Sequence, residues 1–258
     1  MLSRLTQRYR RWRIERHPIP DRLWSQALRA VPYARALSAA ERAKLRELAT
    51  LFLLDKHFST AHALTLTEAM RVRVAIKACV PILELGLHYY RHFKGIVLYP
   101  EDFRVHEQHV DETGVVHDDV RELCGQSLAQ GPMVLSWGTI LAERAADGQD
   151  LVIHECAHKL DTLHGEAGGF PPLHADMSVR AWTRSLRAAY DRHCADVDAE
   201  RPTRLDPYGA YDSAEFFAVL SETFFTRSDI VAEDFSQVYR QLVAFYRQDP
   251  YARLHERG

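Results

Sequence analysis

The chain has 258 residues, with 33 Lys and Arg against 35 Asp and Glu and a formal net charge of −2. That near balance supplies no field for general nucleic-acid binding, so direct nucleic-acid contact is not expected. Apolar residues make up 47% and charged residues 26%, the balance of an ordinary globular protein, and no apolar run approaches the roughly 20 residues of a membrane span.

The opening stretch MLSRLTQRYRRWRIERHP is basic and lacks an apolar centre. It reads as a solvated terminus, not a secretory signal. The first ninety residues read as helical. Ser38-Ala-Ala-Glu41 is a capping-box pattern, in which the serine and the glutamate satisfy each other's free backbone amides, and ERAKLRELATLFLLDKHF continues it. Thr65-Leu-Thr-Glu68 is a second such start, and Pro81 should kink or divide the apolar helix that follows. Beyond Gly95 the texture changes. GIVLYP (95–100), GVVHDDV (114–120) and GPMVLSW (131–137) read as strands. Asp150 is a candidate N-cap for a helix over 150–163, which would end before Gly165. Further helices are expected over 177–194, 213–225 and 233–247, with a Pro/Gly loop at 200–212. Helices, then strands, then helices predict an α+β fold with a small sheet. The expected division is a helical region at 1–93 and a second domain at 94–258, with a single compact unit as the alternative. Cys79, Cys124, Cys156 and Cys194 form no CxxC pair and read as reduced thiols.

The stretch VIHECAHKLDTLHG (152–165) carries the chemistry. His154 and His158 are four apart, so on a helix both imidazoles point the same way and can share one Zn²⁺. Glu155 lies about a third of a turn round, placed to take a proton from a metal-activated water and pass it to a leaving amine. With 14 histidines in the chain, a chance HExxH is the bland alternative. Against it, Ile153, Ala157 and Leu160 make an apolar stripe, and burying these polar groups beside it is costly without a cation. Cys156 points to another face and reads as a buried thiol.

The third ligand stays open on spacing alone. His164 has the spacing of HExxHxxGxxH, but Asp161 stands where that pattern needs glycine. Glu215 and Glu222 are seven apart in SAEFFAVLSETFF, hence on one helical face, and a carboxylate on so apolar a helix wants a cation. Asp161 reads either as orienting an imidazole or as closing the helix end. The strand in GPMVLSW reads either as an exposed edge for an extended peptide or as an interior strand.

IHECAHKLD, QGPMVLSW before it and DPYGAYDSAEFFAVLSETFF after it resemble the Mlc titration factor A family. The similarity also takes in CVPILELGL, IVLYPEDF and FYRQDPYARLH, covering most of 40–255, with the first thirty or so residues the poorest match. The resemblance implies a mainly helical, zincin-like metallopeptidase of the gluzincin type, with a catalytic domain related to anthrax lethal factor. It implies one zinc per chain, aminopeptidase activity on short peptides, a cytoplasmic location and an Mlc-type transcriptional repressor as a possible partner. It makes Glu215 the third ligand and Tyr208 the residue that steadies the tetrahedral intermediate. The spacing allows both: His₂Glu is a catalytic zinc set, and a phenol in the loop before the ligand helix can donate to an oxyanion, with Tyr211 its rival. Glu222 is left as a supporting carboxylate. Glu166 and Asp212 are candidates, by position only, for holding a substrate ammonium. The alternative function is a repressor-sequestering protein that keeps the zinc site without using it.

Overall fold

The computed structural model describes residues 2–101, 103–110, 116–123, 125–127, 131–143, 145–165 and 167–255. It is mainly helical, with a small mixed sheet. The N-terminal part holds helices α1 (Leu2–Arg16), α2 (Asp21–Arg29), α3 (Pro32–Arg35) and α4 (Ala39–Asp55), strand β1 (His57–Thr60) and helix α5 (Glu68–Cys79). The Ser38 capping box is present in both directions. The second start is shifted by two residues: Thr67, not Thr65, is the cap, and its hydroxyl accepts from the Met70 amide. Pro81 divides the apolar run as expected: α5 ends at Cys79, and a 3₁₀ turn (Leu87–Tyr90) follows.

Five further strands follow among the described residues. They are β2 (Gly95–Tyr99), β3 (Phe103–Val110), β4 (Val116–Leu123), β5 (Gly125–Ser127) and β6 (Met133–Ser136). β3 and β4 pair antiparallel on their own. The other four form one sheet in the order β1-β2-β6-β5, with β1, β2 and β6 parallel and β5 antiparallel to β6. Two sequence expectations are corrected here. The helical reading of ERAKLRELATLFLLDKHF runs through Phe58, but His57–Thr60 form a strand. GPMVLSW gives an interior strand, so its edge reading falls; the edge on that side is β5. The parallel pairing of β1 with β2 explains the first correction, because a parallel crossover needs an intervening helix, and α5 supplies it.

The C-terminal half adds α6 (Trp137–Ala142), α7 (Leu151–Asp161), α8 (Val179–Asp198), α9 (Ser213–Thr226), α10 (Ser228–Asp234), α11 (Ser236–Tyr246) and α12 (Pro250–His255). The single helix expected over 233–247 is therefore two, broken at Phe235, where α10 ends and its backbone leaves the helical region. α7 packs on α9, on α5 and on the β5–β6 edge of the sheet. Ile96, Leu98, Met133 and Leu135 of the sheet and Val152, Ile153, Cys156 and Leu160 of α7 are fully buried. They belong to one apolar cluster that runs from Ile19 to Tyr246 and so crosses residue 93. Each such aliphatic side chain stabilises the fold by about 1.5–3 kcal/mol. Among the described residues no helix is long and apolar enough to cross a membrane.

Cys79 and Cys156 are fully buried and unpaired, while Cys194 is partly exposed. Burial pushes the Cys156 thiol up to about 12 and Cys79 well above its ordinary value. Since the thiolate is the nucleophile, iodoacetamide at neutral pH should alkylate Cys194 in the native protein, and Cys79 and Cys156 only in denaturant. Peptide mass mapping before and after unfolding checks this.

Candidate metal centre

Asp150 starts α7 by accepting the Ile153 amide (3.1 Å), and the buried stripe on α7 fixes which way the helix faces. His154 and His158 then turn together out of the core, with their Nε2 atoms 3.1 Å apart. Opposite stands the first turn of α9. Its cap, Asp212, accepts the amides of Ala214 and Glu215 (2.8 Å each) and so fixes where the Glu215 side chain begins. Glu215 Oε2 lies 3.0 Å from His154 Nε2 and 3.4 Å from His158 Nε2. His154, His158 and Glu215 are thus a cluster able to hold a metal ion.

The donor atoms fit a metal better than they fit one another. Glu215 Oε2 is buried, yet despite its close approaches it has no hydrogen-bond partner. Three lone-pair atoms facing one point leave that point electron-rich. Tetrahedral ligands with zinc bonds of about 2.0–2.1 Å stand roughly 3.3–3.4 Å from one another, close to the spacings here. The electrostatics agree. Burial works against a charge on His154, but Glu222 and Glu215 outweigh it and hold its pKa well above the ordinary histidine value. Burial likewise opposes ionisation of Glu215, and the two imidazoles still hold its carboxyl well below the usual range. The site stabilises positive charge.

Behind His154 a buried chain of polar groups leads away from the cluster. Glu222 Oε1 is 2.6 Å from His154 Nδ1, so Glu222 holds the outer nitrogen of the imidazole while Nε2 faces the cluster. Its other oxygen accepts the Asp150 amide (2.7 Å). Asp150 Oδ2 accepts from the Tyr33 hydroxyl (2.5 Å) and pairs with Lys77 Nζ (2.9 Å). Lys77 also pairs with Glu143 (2.6 Å), whose second oxygen accepts the Leu151 amide (2.5 Å). Burial disfavours the Lys77 ammonium, but Asp150 and Glu143 override it and raise its pKa. Burial and Asp150 push Glu143 up to about 7 against the pull of Lys77. Sequence reasoning missed Tyr33, Lys77 and Glu143. A signal for Lys77 was present, a lone cation inside the apolar run VAIKACV.

Glu155, the neighbour of His154, is 3% exposed, and its Oε2 is buried with no hydrogen-bond partner. Burial raises its pKa, with the two histidines pulling the other way. Tyr208 sits in a 3₁₀ turn (Pro207–Ala210) that Asp206 caps by accepting the Tyr208 amide (2.9 Å). Its ring is 6.1 Å from that of His154, and it stacks on Tyr211 at 6.1 Å. Burial and the charges of Glu215 and Glu155 keep its hydroxyl protonated well above the ordinary value. Asp161 accepts the amides of Gly168, Gly169 and Phe170 (2.6–2.7 Å), so it ties down the loop after α7. His164 has its backbone in the 3₁₀ turn Thr162–His164; its side chain, and all of Glu166, lie outside the described residues. Asp212 is exposed at the α9 cap.

Residues 5–247 match the family described as Glucose-regulated metallo-peptidase M90. Among curated relatives, Mlc titration factor A of Klebsiella pneumoniae subsp. pneumoniae is 39% identical over 91% of this chain and 89% of that protein. The protein of the same name from Enterobacter sp. (strain 638) is 37% identical over 92% and 91%. That of Escherichia coli O7:K1 is 37% identical over 90% and 88%.

Two substitutions test the buried chain. Glu222→Gln should weaken zinc binding by about 10- to 100-fold, read by competition with a chelating dye, because His154 loses its anionic acceptor. Lys77→Met should lower unfolding stability by about 3–5 kcal/mol, read by denaturant titration, because it strands two buried carboxylates.

Proposed function

The chain belongs to the glucose-regulated metallo-peptidase M90 family, and on that premise we propose that it is a zinc-dependent peptidase of the gluzincin type that releases N-terminal residues from short peptides. The observation that carries this reading is the convergence of two imidazole nitrogens and one carboxylate oxygen within 3.0–3.4 Å, with a second buried, unpartnered carboxylate alongside. In the proposal His154, His158 and Glu215 hold one zinc. Bound zinc supplies Lewis acidity toward water and toward the scissile carbonyl.

The other roles fall to the chain's own residues. Glu155 is the general base: its free Oε2 has no competing hydrogen bond, and burial moves its affinity for a proton toward that of a useful base. It takes a proton from the attacking water and gives it to the leaving amine. Tyr208, kept protonated by burial and by the charges of Glu215 and Glu155, donates its hydroxyl hydrogen to the developing oxyanion. Glu222 keeps His154 in the tautomer whose Nε2 is free to donate its lone pair.

Residues 1–93 are proposed to buttress the catalytic region 94–258, since Tyr33 and Lys77 reach Asp150 at the start of α7. A cytoplasmic location is part of the same reading. A second reading, capture of an Mlc-type repressor, is supported by what the relatives are called. It does not exclude catalysis.

Plasma emission analysis of the purified chain should find one zinc per chain, and Glu215→Ala should hold far less. On aminoacyl coumarin substrates, Glu155→Gln should lose about 10²–10⁴-fold in kcat with zinc retained. Tyr208→Phe should lose about 10²–10³-fold. Full activity in a chelator-stripped sample, or in Glu155→Gln, would falsify the peptidase reading. Equal repressor binding by wild type and Glu155→Gln would show that capture runs without catalysis.

A further inference from the structure

The positive charge of the chain is concentrated in α1. Residues 1–16 hold six arginines and one glutamate, against 27 Lys and Arg and 34 Asp and Glu in the remainder. The near-neutral total thus conceals two poles, a basic helix and an acidic body.

One face of α1 is attached to the rest. Ile14 is partly buried and lines a cleft with Trp24 of α2 and Thr50 of α4. Arg13 donates to the Leu54 carbonyl near the end of α4 (3.0 Å). Ile14 lies two residues from both Trp12 and Arg16, roughly 200° round the helix axis. Tyr9, Trp12 and Arg16 follow at intervals of three and four, so they share the opposite face. In the sequence the same spacing reaches back through Leu5 and Leu2. Tyr9 is 58% exposed and Trp12 48%. Their rings stack, with centroids 5.8 Å apart. Arg13 lies over Tyr9 at 5.9 Å, and Arg16 lies over Trp12 at 5.2 Å. Arg8 is exposed on the other flank of the pair.

An apolar groove closing over this face would strip water from the guanidinium groups at its edges, which is costly. A layer of anionic headgroups has no such cost. There Tyr and Trp rings settle at the acyl boundary while arginine stems run along them to the charged surface.

We propose that α1 is a membrane-surface anchor, lying on an anionic bilayer with Tyr9 and Trp12 at the acyl boundary and Arg8 and Arg16 on acidic headgroups. A helix that lies on a bilayer need not be long and apolar enough to cross it. The acidic body is repelled by the same surface, so the chain docks with α1 toward the lipid. Such an anchor is independent of whether the metal cluster hydrolyses peptides.

The full chain is mixed with vesicles of phosphatidylcholine alone, or of phosphatidylcholine with about a third phosphatidylglycerol. Co-sedimentation should show binding to the mixed vesicles, falling about 10-fold or more from low to high salt, and little binding to the neutral ones. Tryptophan emission should shift to the blue on binding, and Trp12→Phe should bind yet lose that shift. Tyr9→Ser with Trp12→Ser should weaken binding by about 10-fold or more. Arg8→Glu with Arg16→Glu should do the same on mixed vesicles. These positions are exposed, so the variants should unfold at the wild-type temperature. Poly-L-glutamate at matched charge should leave the emission unmoved. Failure to bind mixed vesicles, or equal binding to neutral ones, overturns the anchor. So does full binding by the serine variant, or a blue shift that survives Trp12→Phe. An equal shift with poly-L-glutamate would assign α1 to an acidic protein and overturn the lipid.

Discussion

Three electron-rich atoms cannot be held near one point in a protein interior unless something positive is meant to sit among them. His154, His158 and Glu215 are held in that way, and much of the surrounding structure is accounted for by the demand. Glu222 backs one imidazole; its second oxygen anchors the amide that begins α7. Asp150 both caps that helix and meets Lys77, which in turn balances Glu143. Each buried group outward from the cluster has a partner: Glu222 takes the Asp150 amide, Asp150 takes the Tyr33 hydroxyl and Lys77, and Lys77 also meets Glu143, so the polar chain can be buried.

The reactive part of this arrangement was legible in the sequence because it is local. The i, i+4 histidines, the adjacent glutamate and the two glutamates seven apart on an apolar helix obey helical periodicity. A period can be read without knowing what packs on it. The supporting part was not legible. Tyr33 and Asp150 are 117 residues apart, and nothing in either neighbourhood names the other. The same limit explains β1. His57–Thr60 is too short to show alternation and continues a good helical pattern, so only its pairing with β2 makes it a strand. Thr65 and Thr67 both suit a cap; which one serves depends on where α5 can lay its buried face, a tertiary matter.

The loop 168–170 shows how a single carboxylate organises chemistry at a distance. Asp161 accepts three successive amides, which are satisfied there instead of by water. Sequence reading gave this residue a part in steadying an imidazole or closing a helix. Its carboxylate is spent otherwise: it lies at the end of the helix that carries His154 and His158, and both its oxygens go to the amides of the loop that follows. The loop after α7 is thereby tied to the helix that carries His154 and His158.

One carboxylate, Glu222, serves at once as the stop for a helix beginning and the brace for an imidazole. The turn at 147–150 therefore acts as a spacer of fixed length. Lengthening it by one residue would rotate α7 about its axis or pull Glu222 from one of its two tasks. Drift in chain length should thus be tolerated poorly in this turn, half of it buried, whereas loops are otherwise free to vary.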